Sequence, residues 1–220
     1  MTGFLLGHST NRFLESLAST VVCEVEQGIE VLRKGGVVAY PTDTVYGLGA
    51  ALLDDAVVQR VIDAKGRAES MGLPLLLSQA DMLAPIVKEV DATAMALIER
   101  FWPGALTLVM TRSAAVSDLV SGGRSSVAVR VPNHPVPRAL SEGVGGPIIG
   151  TSANRSGGAP ASSAVQVREQ LNGAVDLVID DLPSLGVQST ILDLTGPEPR
   201  VLRSGAVSLE EIQAVCSGVQ

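Results

Sequence analysis

The sequence of 220 residues contains few aromatic residues, two cysteines and two histidines, and each shortage excludes a class of protein. Aromatic residues make up 3% of the chain, so Val, Leu, Ile and Ala must build the core, which favours buried strands covered by helices. Because Cys23 and Cys216 cannot form a disulfide framework, we expect a reducing compartment. The distant His8 and His134 argue against a zinc site or a Ser-His-Asp triad.

The chain also lacks a surplus of basic residues and a long apolar run. Its 16 basic and 23 acidic residues give a formal net charge of −7, which argues against an extended nucleic-acid footprint but still allows a local basic pocket. No stretch approaches the roughly 20 apolar residues of a membrane span. The N-terminus lacks the basic and apolar regions of a signal peptide. We therefore expect a cytoplasmic protein that makes no membrane contact.

Three familiar motifs are missing as well, namely the GxxxxGK[ST] phosphate loop, the GxGxxG dinucleotide fingerprint and the GxSxG nucleophile elbow. Without a recognisable protein nucleophile, any chemistry must rest on positioning and charge neutralisation. Phosphoryl and nucleotidyl transfer work in this way, because cations and metal ions supply most of the catalysis.

Apolar periodicity and turn residues indicate helices that alternate with strands along the chain. Helices are predicted over 24–34, 54–64, 92–101, 135–140 and 164–171 and after Ser208, and strands over 37–40, 73–77, 105–110, 126–131, 148–149, 175–180, 188–194 and 200–203. Ser163 with Gln166 and Ser208 with Glu211 are candidate capping boxes. The alternation predicts an α/β layer fold, with one domain over 24–220 after an N-terminal extension over 1–23.

Several polar segments that contain cations, hydroxyls or glycines follow the predicted strands, where open α/β sheets bind their ligands. They are 40–49 (YPTDTVYGLG), 65–67 (KGR), 126–130 (SVAVR), 150–158 (GTSANRSGG), Ser189 and Arg203. Lys65 and Arg67 either converge on a phosphate or lie at a solvated helix end. Arg130, in an otherwise apolar strand, needs a partner, which is either a substrate carboxylate or an aspartate elsewhere. The segments 40–49 and 150–158 either bind a ligand or form ordinary turns and loops.

Taken in this order, the segments resemble the YrdC-type threonylcarbamoyl-AMP synthase family. The matching stretches are GGVVAYPTDTVYGLGA (35–50), KGR (65–67), FWPGALTLVM (101–110), SVAVRVPNHP (126–135), IIGTSANRSGG (148–158), STILDLTG (189–196) and RVLRSGAVS (200–208). The resemblance covers about residues 24–208, and seven such stretches in sequence are very specific. It implies a single α/β domain, in which a twisted open mixed sheet with flanking helices surrounds a large concave cavity.

The resemblance also implies an activity. Members of the family condense L-threonine with bicarbonate to a carbamate, which attacks the α-phosphate of ATP and gives L-threonylcarbamoyladenylate and pyrophosphate. A tRNA-modifying transferase complex then uses this product to form threonylcarbamoyl-adenosine in tRNAs that decode ANN codons. We accordingly expect ATP, L-threonine and bicarbonate as substrates, Mg²⁺ bound with ATP, and no metal site in the protein itself. Direct contact with tRNA is left open.

The family's binding residues carry over by motif position. The resemblance places L-threonine at Thr44, Ser78, Arg130, Gly150 and Ser189. It places the nucleotide at Lys65, Arg67, Ser126, Ser152, Asn154, Pro160 and Arg203, with Lys65 and Arg67 as the catalytic pair. The sequence departs from the family where KGRAESMGLPLLLS replaces KGRPxxNPLxxH, so that Leu73 stands for the Asn and Ser78 for the His. Residues 153–162, rich in Gly, Ser and Ala, are predicted to form a mobile lid.

The sequence also allows two functions other than the synthase. The first is a non-catalytic RNA- or nucleotide-binding module of the same fold, against which the net negative charge argues. The second is a carbamoyl-adenylate former that uses carbamoyl phosphate, similar to a domain of hydrogenase-maturation proteins. That domain normally belongs to a longer chain with zinc-finger segments, which this sequence does not show.

Overall fold

A computed structural model describes residues 14, 15, 17–181 and 186–219 of the chain. The helices are α1 (Ser19–Arg33), α2 (Asp55–Lys65), α3 (Ala92–Phe101), α4 (Asp118–Ser121), α5 (Pro135–Val144), α6 (Ala164–Leu171) and α7 (Leu209–Gln213), with a 3₁₀ helix at Ala80–Leu83. The strands are β1 (Val38–Tyr40), β2 (Gly47–Gly49), β3 (Leu75–Leu76), β4 (Leu106–Thr111), β5 (Ser126–Arg130), β6 (Ile148–Ile149), β7 (Thr151–Ser152), β8 (Leu177–Val178), β9 (Thr190–Asp193) and β10 (Arg200–Arg203). Residues 1–13 of the predicted N-terminal extension lie outside the described residues.

Helix α1 begins at Ser19 rather than at residue 24, where the periodicity predicted its start. Val21, Val25 and Ile29 are all buried, because the apolar face continues over one more turn than the sequence pattern suggested. This face packs against α5. Neither α1 nor any other helix in the described ranges combines the length and the apolar content needed to cross a bilayer.

Capping chemistry fixes the beginnings of α6 and α7. Ser208 and Glu211 form a complete capping box before α7, as predicted. Before α6, Ser163 accepts a hydrogen bond from the backbone N–H of Gln166 at 3.4 Å. The Gln166 side chain bonds to the backbone N–H of Ser162, at 2.8 Å, instead of that of Ser163. Of the two bonds of the capping box predicted at Ser163 and Gln166, only the one accepted by the Ser163 side chain is therefore present.

The strands form two mixed sheets. One has the strand order β7-β2-β1-β8 and the other the order β10-β9-β4-β5-β3-β6. Parallel pairs such as β4 with β9 and β3 with β5 stand beside antiparallel pairs such as β4 with β5. The predicted open mixed α/β architecture with flanking helices is thus confirmed. Strands β2 and β7 were not predicted, because they are two or three residues long and lie in polar or glycine-containing motifs.

The two sheets meet where β6 continues into β7. The backbone N–H of Ile149 donates to the carbonyl of Ala50 at 2.9 Å, and the hydroxyl of Tyr40 donates to the carbonyl of Ile149 at 2.8 Å. The backbones are so close here that a Cβ atom on Gly49 would lie 2.0 Å from the Ile149 oxygen. Glycine at position 49 therefore permits the contact between the sheets.

The six-stranded sheet has a core face and a polar face. Leu108 and Val129 are fully buried in the main hydrophobic cluster, together with Leu97 of α3. Because side chains alternate along a strand, Thr107 and Arg130 project to the opposite face. The aliphatic core agrees with the composition, and the opposite face carries the polar groups that line the site.

Replacing Gly49 with Ala should lower the free energy of unfolding by about 1–3 kcal/mol or more, because the new methyl group meets a carbonyl oxygen that cannot rotate away. Gly146→Ala is the matched control, since no atom lies within 4 Å of its added Cβ. Chemical denaturation of both variants measures the difference. Equal free energies of unfolding would contradict the close approach of the sheets.

Candidate functional site

A cavity that is open to solvent lies beside the junction of the two sheets and has a volume of about 600 Å³, part of which is solvent at its mouth. Its walls come from the turn after β1, from β2, from Gly150 and β7, from the polar face of the six-stranded sheet, and from β10. The lining residues are Thr42, Thr44, Val45, Tyr46, Gly47, Pro74, Leu76, Thr107, Arg130, Gly150, Thr151, Ser152, Gln188, Ser189, Ile191 and Arg203. The predicted binding residues among them are Thr44, Arg130, Gly150, Ser152, Ser189 and Arg203.

Arg130, at the end of β5, is 5% exposed and is held from three sides. Its Nε donates to the carbonyl of Gly104 at 2.7 Å and its Nη1 to the hydroxyl of Thr44 at 3.0 Å. Its Nη2 donates to the carboxylate of Asp43, with which it forms an ion pair. Burial lowers the pKa of Arg130, and the Asp43 carboxylate opposes this shift. Of the two partners that the sequence left open, the structure supplies the aspartate.

The bonds of Arg130 to the described residues use three of its five N–H groups. The other two belong to the terminal nitrogens of a guanidinium that lines the cavity. One N–H on each terminal nitrogen is thus left for a further acceptor, and a carboxylate is an acceptor that guanidinium groups favour. Arg130 can therefore keep Asp43 and still bind a second carboxylate.

The turn after β1 is held by hydroxyl groups. The backbone N–H of Thr44 donates to Oγ1 of Thr42 at 3.1 Å, and this Oγ1 donates to the carbonyl of Val45 at 2.7 Å. Bonds of this kind are typical of turn-forming threonines. The turn interpretation of segment 40–49 is thus right for Thr42, while Thr44 also contacts Arg130 and lines the cavity.

A second hydroxyl pair lies on the polar face of the six-stranded sheet. Oγ1 of Thr107 is 2.9 Å from Oγ of Ser189. Nη2 of Arg203 donates to the carbonyl of Ser189 at 2.8 Å and to its Oγ at 3.1 Å. Burial lowers the pKa of Arg203, and the charge of Arg130 lowers it further. Ser189 therefore connects the predicted threonine site with Arg203, which is predicted to bind phosphate.

Lys65, the last residue of α2, is 5% exposed, so it does not lie at a solvated helix end. Its Nζ donates to the carbonyls of Ser152 and Asn154 at 2.6 and 2.8 Å. Burial, together with the charge of Arg67, lowers the pKa of Lys65 to about 8. Two of its three N–H donors thus anchor the β7 strand and the loop beyond it.

Arg67 lies alongside the same strand. Its Nη2 donates to the carbonyl of Gly72 at 3.1 Å, and its Nη1 is 3.4 Å from the hydroxyl of Thr151. Its Nε is buried and has no partner among the described residues. Burial lowers the pKa of Arg67, and Arg124 lowers it as well. Because buried donors are nearly always satisfied, an unpaired N–H here favours a ligand that accepts hydrogen bonds.

The loop after β7, predicted as a mobile lid over 153–162, is tied at several points. The amide nitrogen of Asn154 donates to the carbonyls of Arg155 and Gly158 at 2.7 and 2.8 Å. Near its other end, the carbonyl of Ala161 accepts from the backbone N–H of Tyr46 at 2.8 Å. The amide oxygen of Asn154 is buried and, in the described part of the chain, has no donor. Mobility of this loop stays a prediction.

Six predicted residues are not among those that line the cavity. Lys65, Arg67 and Asn154 are three of them, and they bond to the β7 segment that forms part of its wall. The other three, Ser78, Ser126 and Pro160, lie further away.

Ser78 is fully buried and donates to the carboxylate of Glu142 at 2.7 Å, so its hydroxyl faces α5. Ser126 lies at the other end of β5 from Arg130 and lines a second hollow with Arg124. Pro160 is half-buried in the loop after β7. Ser78 is shorter than the histidine that it replaces and cannot reach as far. Its hydroxyl proton is also already donated to the Glu142 carboxylate.

The cavity is cationic although the chain is acidic. Arg130 and Arg203 line it, and Lys65 and Arg67 bond to Ser152 and Thr151 of its wall. Within the described residues, Asp43 is the carboxylate that pairs with one of them, and the other three form no ion pair. The described residues contain no group of three or more His, Cys, Asp or Glu side chains that could hold a metal ion. Such a cavity is suited to a ligand that carries several negative charges.

Three residues that shape the site, Thr42, Asp43 and Thr107, were not predicted from the sequence. Thr42 and Asp43 lie in the polar segment 40–49, but no pattern showed which of the polar groups would bond to Arg130. Thr107 is the single polar residue of the apolar run 105–110 (ALTLVM). That signal is the same as the one that identified Arg130, and it could have found Thr107.

Replacing Asp43 with Ala should lower the free energy of unfolding by about 3 kcal/mol, because Arg130 would stay buried without its counter-ion. Asp43→Asn keeps an oxygen acceptor and should lose less. The control is Asp180→Ala, which breaks a surface pair with Arg168 whose side chains are 52% and 53% exposed and which is worth about 0–1 kcal/mol. Denaturation curves at pH 7 measure all three, and a loss in Asp43→Ala no larger than in the control would contradict a buried ion pair.

Similarity to known proteins extends over the segments that build this cavity. The family model Sua5_yciO_yrdC, described as telomere recombination, matches residues 30–205. Threonylcarbamoyl-AMP synthase of Pyrococcus abyssi is 39% identical over 211 residues, which are 91% of this chain and 62% of that protein. The Bacillus subtilis enzyme is 37% identical over 87% of this chain and 56% of its own length. The chain thus spans about three fifths of the length of these two relatives.

Other relatives are matched over most of their own length. A putative threonylcarbamoyl-AMP synthase of Mycobacterium tuberculosis H37Rv is 38% identical over 87% of this chain and 88% of that protein. The crystal structure of P. abyssi Sua5 complexed with L-threonine has a TM-score of 0.86 at 39% identity and covers 89% of this chain and 58% of that chain. The crystal structure of E. coli YciO has a TM-score of 0.78 at 28% identity, over 86% and 92% of the two chains. The chain belongs to the Sua5/YciO/YrdC family.

Proposed function

We propose that this chain is an L-threonylcarbamoyladenylate synthase, which forms threonylcarbamoyl-AMP and pyrophosphate from L-threonine, bicarbonate and ATP. The observation that carries the proposal is one cavity lined by a buried arginine, which has N–H groups left for a carboxylate. Three further cations lie in or beside its wall and have no carboxylate partner among the described residues. Relatives named threonylcarbamoyl-AMP synthase and the L-threonine complex of P. abyssi Sua5 support the same reaction.

The amino acid would bind at the Arg130 end of the cavity. The carboxylate of L-threonine takes the two open N–H groups of Arg130, while Thr44 and Ser189 contact its other polar groups. Glycine at position 150 lets the backbone approach Leu76, which also lines the cavity, because a Cβ atom there would lie 2.2 Å from the Leu76 side chain. Ser78 is left out of this set because its hydroxyl is bonded to Glu142.

The nucleotide would bind along β7 and β10. Lys65, Arg67 and Arg203 neutralise the phosphates, and Ser152 and Asn154 add polar contacts. The second hollow, which Ser126 lines, adjoins the first where Leu73 precedes Pro74 and Leu202 precedes Arg203, and it offers room for the rest of the nucleotide. The family pattern also assigns Pro160 to the nucleotide. The described residues contain no carboxylate cluster that could hold a metal. A divalent cation such as Mg²⁺ would therefore be bound mainly through the phosphates of the nucleotide.

In the reaction, the amine of threonine and bicarbonate give a carbamate and water. A carbamate oxygen attacks the α-phosphorus of ATP, and the bond to pyrophosphate breaks. Lys65 and Arg67 act as the catalytic pair, since cations placed beforehand stabilise the charge that grows on the leaving group. The product would serve a cytoplasmic transferase complex that modifies tRNA.

Purified protein with L-threonine, bicarbonate, Mg²⁺ and ATP should release pyrophosphate, and it should do so only when threonine is present. Pyrophosphate is quantified with and without the amino acid, and the adenylate product is identified by mass spectrometry. Turnover that ignores threonine, or tight and salt-sensitive binding of duplex RNA without turnover, would sink the proposal.

Replacing Arg130 with Ala should raise the KM for L-threonine on the order of 100-fold, because the substrate carboxylate loses a buried charged partner. Arg130→Lys keeps the charge but loses the two-pronged geometry, and we expect an intermediate KM. The KM for ATP serves as the internal control and should change little. A larger effect on ATP than on threonine would place the amino acid elsewhere.

The rate should fall above pH 8. In the free protein Lys65 loses its proton as the pH rises through about 8 and can then no longer attract phosphate. We therefore expect kcat/KM for ATP, at saturating threonine, to decline with an apparent pKa near 8. Lys65→Arg should move the decline to higher pH, because a guanidinium keeps its proton.

Loss of folding does not explain such a decline. Between pH 8 and the unfolded value of 10.5 the unfolded chain holds the Lys65 proton and the folded one does not, so this group makes the free energy of unfolding rise with pH. Thermal melts across the same range separate the two effects. An unchanged pH profile in Lys65→Arg would show that another group titrates.

A further inference from the structure

The hydroxyl of Thr42 is fully used by its neighbours in the chain. A carbonyl oxygen can only accept, so the 2.7 Å contact with the Val45 carbonyl takes the single proton of the Thr42 hydroxyl. The backbone N–H of Thr44 donates to the same oxygen at 3.1 Å. The remaining contact of Thr42, 3.0 Å to the hydroxyl of Thr44, must then be one in which Thr42 accepts.

The hydroxyl of Thr44 is therefore fixed in direction. Its single proton points to Thr42, and one of its two lone pairs accepts from Nη1 of Arg130 at 3.0 Å. The other lone pair has no donor among the described residues. Because Thr44 lines the cavity, a ligand meets it as an acceptor and not as a donor.

We propose that Thr42 is a positioning residue that sets the polarity of the amino-acid site by holding Thr44 as an acceptor. This inference rests on the proposed function. The two halves of the site then differ in kind: Arg130 offers only N–H donors and takes the carboxylate, whereas Thr44 offers only a lone pair and takes an N–H or O–H group. A substrate bound the other way round would set its carboxylate against a lone pair.

The bond of 3.0 Å between Arg130 and Thr44 places the two halves side by side. A carboxylate on Arg130 therefore brings the groups on the next two carbons of the substrate towards Thr44. In L-threonine these groups are the α-nitrogen and the side-chain hydroxyl, and both are hydrogen-bond donors. Their shared chemistry is what Thr44 recognises.

The experiment is a double-mutant cycle of Thr42→Val and Thr44→Val, read by calorimetric binding of L-threonine without ATP. Thr42→Val alone should weaken binding about tenfold, as the loss of one hydrogen bond does. In the Thr44→Val background it should add less than twofold, because Thr42 acts through Thr44. Thr42→Ser, which keeps the oxygen, should bind within about twofold of the native chain.

Thr190→Val is the matched control for effects on folding. Thr190 is 1% exposed, its hydroxyl donates to the carbonyl of Val207 at 2.6 Å and accepts from the N–H of the same residue at 3.1 Å, and its side chain does not line the cavity. It therefore loses the same kind of bonds as Thr42→Val and should bind L-threonine normally. A thermal melt of each variant confirms that the chain is folded.

A second ligand, L-2-aminobutyrate, separates the two donors because it lacks the hydroxyl. If Thr42→Val weakens both ligands equally, Thr44 accepts from the α-nitrogen; if only L-threonine is affected, Thr44 accepts from the hydroxyl. Both results support the proposal. It is overturned if folded Thr42→Val binds L-threonine as the native chain does, or if the losses in the cycle add up. Failure of the native chain itself to bind L-threonine would instead count against the proposed function.

Discussion

A single buried guanidinium connects the two sheets across the cavity. Arg130 belongs to the six-stranded sheet, while Asp43 and Thr44 belong to the turn that follows β1 of the four-stranded sheet. A charge buried without partners costs several kilocalories per mole, so the turn must sit where it can satisfy Arg130. The same requirement fixes the width of the cavity beside Arg130. The junction of the sheets and the shape of the cavity therefore depend on one ion pair and the hydroxyl beside it.

Charge is distributed against the trend of the whole chain. The chain has a net charge of −7, yet four cations lie in or beside the cavity wall, and burial lowers the pKa of each: Lys65, Arg67, Arg130 and Arg203. Lowered pKa values mean that the folded protein bears a cost to keep these groups protonated. An anionic ligand supplies the missing counter-charge, so binding should offset part of this cost and stabilise the fold. The apo cavity is thus prepared electrostatically for a polyanion.

The sequence was sufficient to predict those features that depend on residues nearby in the chain. Apolar period and turn residues predicted the helices and most strands, and an arginine within an apolar strand signalled a need for a partner. Residue type did not reveal which carboxylate would meet Arg130, since that depends on how two sheets join at Ile149. It also could not show that Ser78 turns to Glu142 or that α1 begins at Ser19. These outcomes are decided by tertiary packing and not by local pattern.

The roles of the hydroxyl groups at this site can be told apart only from their hydrogen bonds. The cavity wall contains the hydroxyls of Thr42, Thr44, Thr107, Thr151, Ser152 and Ser189, and in sequence they are equivalent small polar residues. In the structure, the hydroxyl of Thr42 donates its proton and accepts two hydrogen bonds within the turn, whereas the hydroxyl of Thr44 keeps one lone pair without a donor among the described residues. A hydroxyl with nothing left holds the site together, and one with unused capacity can bind a ligand. Counting donors and acceptors therefore separates a supporting residue from a binding one two positions away.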